Sequence, residues 1–112
     1  MSESITLPET VVRTRPKRQD KTKQLPPYHV ILHNDDDHTF EYVIHMMQRL
    51  FGHPVERGHQ IAVEVHTKGR VIVDTTSKER AELKRDQIHA FGPDPLSAKS
   101  QGSMSASIEP AH

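Results

Sequence analysis

No cysteine and no tryptophan occur among the 112 residues. Disulfide frameworks and thiolate metal sites are thereby excluded, and a reducing compartment is allowed without being demanded. Aromatic residues make up 4% of the chain and hydrophobic residues 33%, which leaves room for one small domain with a modest core and little room for a multi-step enzyme. No run approaches the ~20 consecutive apolar residues of a membrane span, and the N-terminus lacks a signal peptide's apolar segment. The sequence therefore reads as that of a soluble cytoplasmic protein with no membrane partner.

Formal charges cancel over the whole chain, but not locally. Residues 1–27 hold Arg13, Arg15, Lys17, Arg18, Lys21 and Lys23 against Glu3, Glu9 and Asp20, whereas residues 28–96 carry more acidic than basic side chains. The basic arm has no aromatic residue to stack on bases and no periodic basic face, so nucleic acid is not an expected partner. With almost no apolar periodicity before Leu25-Pro26-Pro27, residues 1–26 read as a flexible basic extension. The Ser/Ala-rich stretch AKSQGSMSASIEPAH reads as a disordered C-terminal tail over residues 98–112. One folded body spans residues 27–97.

Within that body, YHVILH (Tyr28–His33) is a β-branched run after a proline pair and reads as a strand. From Thr39 to Phe51, Val43, Met46, Met47 and Leu50 follow the i, i+3, i+4, i+7 spacing of a helix that stops at Gly52. Pro54 suits a first helical turn, and Val55, Ile61, Ala62 and Val65 carry a second helix to Thr67-Lys68-Gly69. RVIVDT, from Arg70, is a second strand with Val71 and Val73 on one face. Thr76-Ser77-Lys78-Glu79 matches a capping box opening a third helix that runs to about Phe91, and a last extended piece is placed at Pro95 to Ala98. The expected fold is α+β: a small antiparallel sheet packed against three helices, in the order β-α-α-β-α with a final β.

The unusual feature is the acidic knuckle Asn34-Asp35-Asp36-Asp37 between the first strand and the first helix. Turn formation and helix capping account for one or two such residues; the rest call for a cation, which is a metal, a basic peptide or an ammonium group. Nine histidines include His59 and His66, which share one helix face. Even so, there is no H-E-x-x-H, no i, i+4 histidine pair on an expected helix and no Ser/His/Asp arrangement, so neither a metal, a cofactor nor a catalytic residue is expected.

Taken together, the strand followed by NDD, EYV at Glu41–Val43, VER at Val55–Arg57, VHTKG at Val65–Gly69 and AELK at Ala81–Lys84 resemble ClpS, the family of adaptors that recognise N-degrons for bacterial ATP-dependent Clp proteases. The resemblance covers about residues 26 to 97. It implies a non-enzymatic, monomeric adaptor with two partners: cargo proteins bearing a free bulky hydrophobic N-terminal residue, and the N-terminal domain of an AAA+ Clp unfoldase. It implies that Asn34, Asp35 and His66 hold the cargo's α-amino group, that His38, Phe40, Val43, Ala62 and Val65 border the side-chain pocket partly exposed, and that Glu79 and Lys84 dock on the unfoldase. A charge-assisted bond from an ammonium to Asp35 answers the question the knuckle raises.

Two departures bear on the pocket. Where the family shows Thr, Pro and Met after the acidic turn, this chain has His38, Thr39 and Phe40; where a methionine commonly closes the pocket, it has Ala62. The smaller wall is expected to admit branched first residues such as Ile and Val. The alternative is a ClpS-like modulator that docks on the unfoldase without reading N-termini.

Overall fold

A computed structural model describes residues 25–112, so the expected N-terminal extension lies, apart from its last two residues, outside the described part. The elements follow the order β1 (Tyr28–His33), α1 (Phe40–Phe51), α2 (Val55–Lys68), β2 (Arg70–Thr76), α3 (Lys78–His89) and β3 (Ser105–Pro110). The three strands form one antiparallel sheet in the order β2-β1-β3. This is the α+β architecture expected from the sequence.

β1 lies in the centre because it is the most apolar strand, with Val30, Ile31 and Leu32 all buried. Val30 and Leu32 point into the helix-covered core, alongside Val71 and Val73 of β2. The β1–β2 register shifts between Val30 and Ile31, so that Val30 pairs with Asp74 and Ile31 with Ile72. Such a bulge bends the strand and strengthens its twist.

The helix boundaries follow from local chemistry. Thr39 caps α1 by accepting the Tyr42 N–H on its hydroxyl, and Gly52 ends the helix in the left-handed conformation at φ 71°, which glycine adopts without a side-chain clash. α1 buries Tyr42, Val43, Met46 and Met47, and α2 answers with Gly58, Ile61, Ala62 and Val65. Gly58, which costs about 1 kcal/mol of helix propensity relative to alanine, sits where the two helices touch. A Cβ there would lie 3.2 Å from the Ile44 Cα. The third helix opens one residue later than the capping-box pattern suggested: Ser77, not Thr76, is the cap, and its hydroxyl accepts the Arg80 N–H.

The C-terminal region departs from expectation. Pro95–Ala98 is turn rather than strand, and residues 98–112 are not a disordered tail: Ser105–Pro110 pairs along the whole of β1, from Tyr28 with Pro110 to His33 with Ser105. Met104 and Ala106 are buried members of the core. The segment holds little apolar bulk, so its local propensity is weak. What makes it a strand is the second edge of β1, whose N–H and C=O groups need partners once that strand is buried.

Candidate functional site

The acidic knuckle is a compact double turn. The Asn34 side chain accepts the Asp36 N–H and donates to the Asp36 carboxylate, and Asp35 Oδ1 accepts the Asp37 N–H at 3.0 Å. Asp36 takes the left-handed conformation at φ 64°, a region aspartate tolerates better than most residues. Asn34 also donates its backbone N–H to the Gly69 carbonyl at 3.0 Å. That bond fixes the knuckle against the C-terminal end of α2, where His66 lies in the last turn. The segments that carry the three residues expected to bind an amino group are thus joined by one backbone contact, although they lie more than thirty positions apart.

Asp35 already has a histidine partner. His38 Nδ1 lies 2.8 Å from Asp35 Oδ1, and His38 Nε2 lies 2.7 Å from the Gly102 carbonyl. The His38 ring stacks at a tilt 4.6 Å from that of Tyr42, and its side chain is 3% exposed against 32% for Asp35. Burial opposes its charge, but bonds to Asp35 and Gly102 and the charges of Asp35 and Asp94 outweigh it, raising its pKa above 6.5. His38 is therefore a polar bridge and not part of an apolar pocket wall, because both ring nitrogens are already engaged. Among the described residues nothing donates to Asp35 Oδ2, which leaves that oxygen for an incoming donor.

Beneath the knuckle, Asp94 latches the loop after α3 onto the start of α1. Its carboxylate accepts the Thr39 N–H and hydroxyl at 2.6 and 2.8 Å and the Leu96 N–H at 2.8 Å. Burial pushes the Asp94 pKa up, but these donors and the charge of His38 hold it below the ordinary aspartate value. A depressed carboxylate contributes stability that is present above the unfolded pKa and lost as pH falls through the folded one. Thermal melts between pH 7 and pH 2 should show Asp94→Asn less stable than the parent at neutral pH, with a flatter loss on acidification.

Phe40 is half-buried, with its ring edge-on to His59 and His66 at centroid distances of 5.9 and 5.6 Å. Those histidines are two helical turns apart, so a ring that meets both lies across the turn between them, where Ala62 sits. Ala62 is 0% exposed, and Val43 and Val65 are buried with it. The expected partly exposed wall is therefore core, with Phe40 packed against it, and the bulkier Phe40 and smaller Ala62 are expected to compensate each other. Ala62→Met should add about three heavy atoms to that core and destabilise the fold by roughly 1–3 kcal/mol, with Phe40→Ala in the same chain recovering much of the loss. Urea titrations of the two single variants and the double variant measure that coupling.

The docking pair separates. Glu79 is exposed at the start of α3, whereas Lys84 is 8% exposed and donates from Nζ to the Leu50 carbonyl. Its ammonium also lies 5.5 Å from the Phe51 ring centroid. Lys84 satisfies the C-terminal end of α1, a task assigned by its place on the inner stripe with Ala81 and Ile88. A cavity of 760 Å³ opens between α1, α3 and the loop at Pro93–Leu96; none of the residues expected to bind cargo or unfoldase lines it. Among the described residues no three histidine or carboxylate side chains gather as a metal site.

With this geometry in hand, comparison with known proteins is decisive. Residues 23–99 match the family model described as ATP-dependent Clp protease adaptor protein ClpS. The chain belongs to the ClpS family. It is 39% identical over 75 residues to the ClpS adapter protein of Vibrio cholerae, covering 65% of this chain and 71% of that protein. It is 34% identical over 86 residues to that of Desulforapulum autotrophicum, covering 77% and 83%. Its fold is similar to Agrobacterium tumefaciens ClpS2, solved bound to L-phenylalaninamide, with TM-score 0.68, 22% identity and coverage of 79% of this chain and all of that one. A ClpS protein is an adaptor of a Clp protease and not an enzyme. No helix among the described residues is long and apolar enough to cross a membrane.

Sequence reasoning missed Asp94, Ser100 and Gly102, which brace the knuckle from behind. Asp94 stands between two prolines, a sign of a rigid turn, but nothing local to it points to Thr39, 55 positions earlier.

Proposed function

We propose that this adaptor captures proteins through a free N-terminal amino group next to a bulky hydrophobic side chain and passes them to an AAA+ Clp unfoldase by docking on its N-terminal domain, in the cytoplasm. The observation that carries the reading is the Asp35 carboxylate: one oxygen is held by Asp37 and His38 while the other remains free of donors among the described residues. Asn34 and His66 stand on the segments that the Asn34–Gly69 bond joins. An ammonium brings three N–H donors to such a site, whereas an internal peptide offers one neutral N–H. Phenylalaninamide, the ligand of ClpS2, combines an amino group with a benzyl side chain as a protein beginning with Phe does, and this supports the reading. Ordering a peptide offsets part of the gain, so affinity is expected near the micromolar range.

One observation favours the alternative, a modulator that docks without reading N-termini: Val43, Ala62 and Val65 are buried in a core against which Phe40 is packed, so a cargo side chain reaching them would have to displace packed side chains. Titrating peptides with free Leu, Phe, Trp or Tyr at the N-terminus against their acetylated copies separates the two. Binding of the free forms alone supports N-degron capture. Equal or absent binding of both forms, with docking on the unfoldase retained, supports the modulator.

A further inference from the structure

His38 touches the one group that the functional reading cannot do without, the Asp35 carboxylate. Both of its ring nitrogens face oxygen acceptors. The Gly102 carbonyl carries no proton, so a separation of 2.7 Å requires an N–H on Nε2. The Asp35 oxygen at 2.8 Å, which accepts the Asp37 amide as well, requires an N–H on Nδ1. This arrangement belongs to the doubly protonated ring. The groups that face it are Asp35 from the knuckle, the Tyr42 ring from α1, Asp94 from the loop after α3, and the Ser100 hydroxyl and Gly102 carbonyl from the segment leading to β3. None of them is cationic, and two are carboxylates.

We propose that His38 is a positioning residue for amine capture: its imidazolium ties the Asp35 carboxylate to the chain entering β3, holding Oδ1 so that Oδ2 is presented to the cargo ammonium, and affinity therefore rises with protonation of His38. The proposal rests on the N-degron reading above. When the ring loses a proton, one of its two bonds must break, since neither acceptor can donate in return. Either Asp35 is released from its side-chain anchor or the segment at Gly102 is. Repulsion between imidazolium and ammonium acts in the opposite direction, but it passes through a partly exposed carboxylate and is screened there, whereas the hydrogen bond acts at contact. The sign follows from the ring's raised pKa: the bridge is complete below the ordinary histidine value and is lost as pH rises through the folded one.

The test is the pH profile of affinity for a fluorescent peptide with a free N-terminal Phe, measured on the full chain for the parent and for His38→Gln. Ionisation of the peptide amine is common to both proteins and cancels in the ratio of their dissociation constants. That ratio is expected to be about tenfold near pH 5.5 and to narrow toward unity by pH 8.5. Reciprocity requires a second result on the parent alone, independent of how well the variant folds: saturating peptide should raise the His38 pKa, followed by ring NMR, by about one unit. A ratio that stays flat with pH, tighter binding by His38→Gln, or a His38 titration that peptide leaves unmoved or lowers would overturn the role of His38. A parent that never distinguishes free from acetylated peptide sinks the N-degron reading itself, and this role with it.

Discussion

Replacing Asp35 by alanine is expected to weaken binding of a free-N-terminus peptide by at least about tenfold, because a charge-assisted hydrogen bond is worth ~1.5–3 kcal/mol and each ~1.4 kcal/mol is a factor of ten. The structure adds a second consequence. Asp35 is the counter-charge of the His38 side chain, 3% exposed, so its removal leaves a buried imidazolium without its carboxylate and the Asp37 amide without its acceptor. A stability loss of about 1–2 kcal/mol is expected alongside the loss of binding, less than for a fully buried pair because Asp35 itself is partly solvated. Asp35→Asn separates the two effects: it keeps an acceptor for Asp37 and His38 but lacks the charge an ammonium seeks. It should lose most of the affinity and less of the stability, as read by fluorescence anisotropy and urea titration on the same samples. Parental affinity in either variant would remove Asp35 from the amine site.

The second large effect concerns Lys84, and it is one of stability. Lys84→Ala removes the donor to the Leu50 carbonyl, the ammonium beside Phe51 and the packed aliphatic stem. Together these are worth about 2–3 kcal/mol, which for a domain of this size is a fall in Tm of roughly 10 °C or more. Lys84→Met, which retains the stem, should lose about half as much. Loss of delivery in Lys84→Ala therefore cannot by itself establish docking. Glu79 offers the cleaner probe, since it is exposed on the first turn of α3 and its replacement by lysine touches no buried group. If docking runs through this face, Glu79→Lys should leave peptide affinity and Tm near parental while abolishing degradation of a reporter with an N-terminal Phe by the unfoldase-protease. A Tm unchanged in Lys84→Ala would refute the structural role given to that lysine.

The sequence by itself determined the elements whose cause is local. The 3.6-residue spacing of Val43, Met46, Met47 and Leu50, the alternation through Val71 and Val73, and the stops at Gly52 and Gly69 each act within one or two turns of chain, so they are legible without a partner. The family, too, lay open in motifs such as NDD and VHTKG. Ala81, Lys84 and Ile88 share one helical stripe, a pattern that already placed Lys84 on the inner face had periodicity been weighed above its charge. Tertiary structure alone decided the rest. The strand at Ser105–Pro110 exists because β1 has a second edge to satisfy, not because serine and alanine favour strands. Ala62 is not an open wall because it is buried in a core against which Phe40, 22 positions away, is packed. The His38 pKa is raised because Asp35 on one side and Gly102 on the other supply acceptors that outweigh the cost of burial. In each case the deciding partner is distant in the chain, and hydrogen bonding and packing between distant segments leave no local periodicity to read.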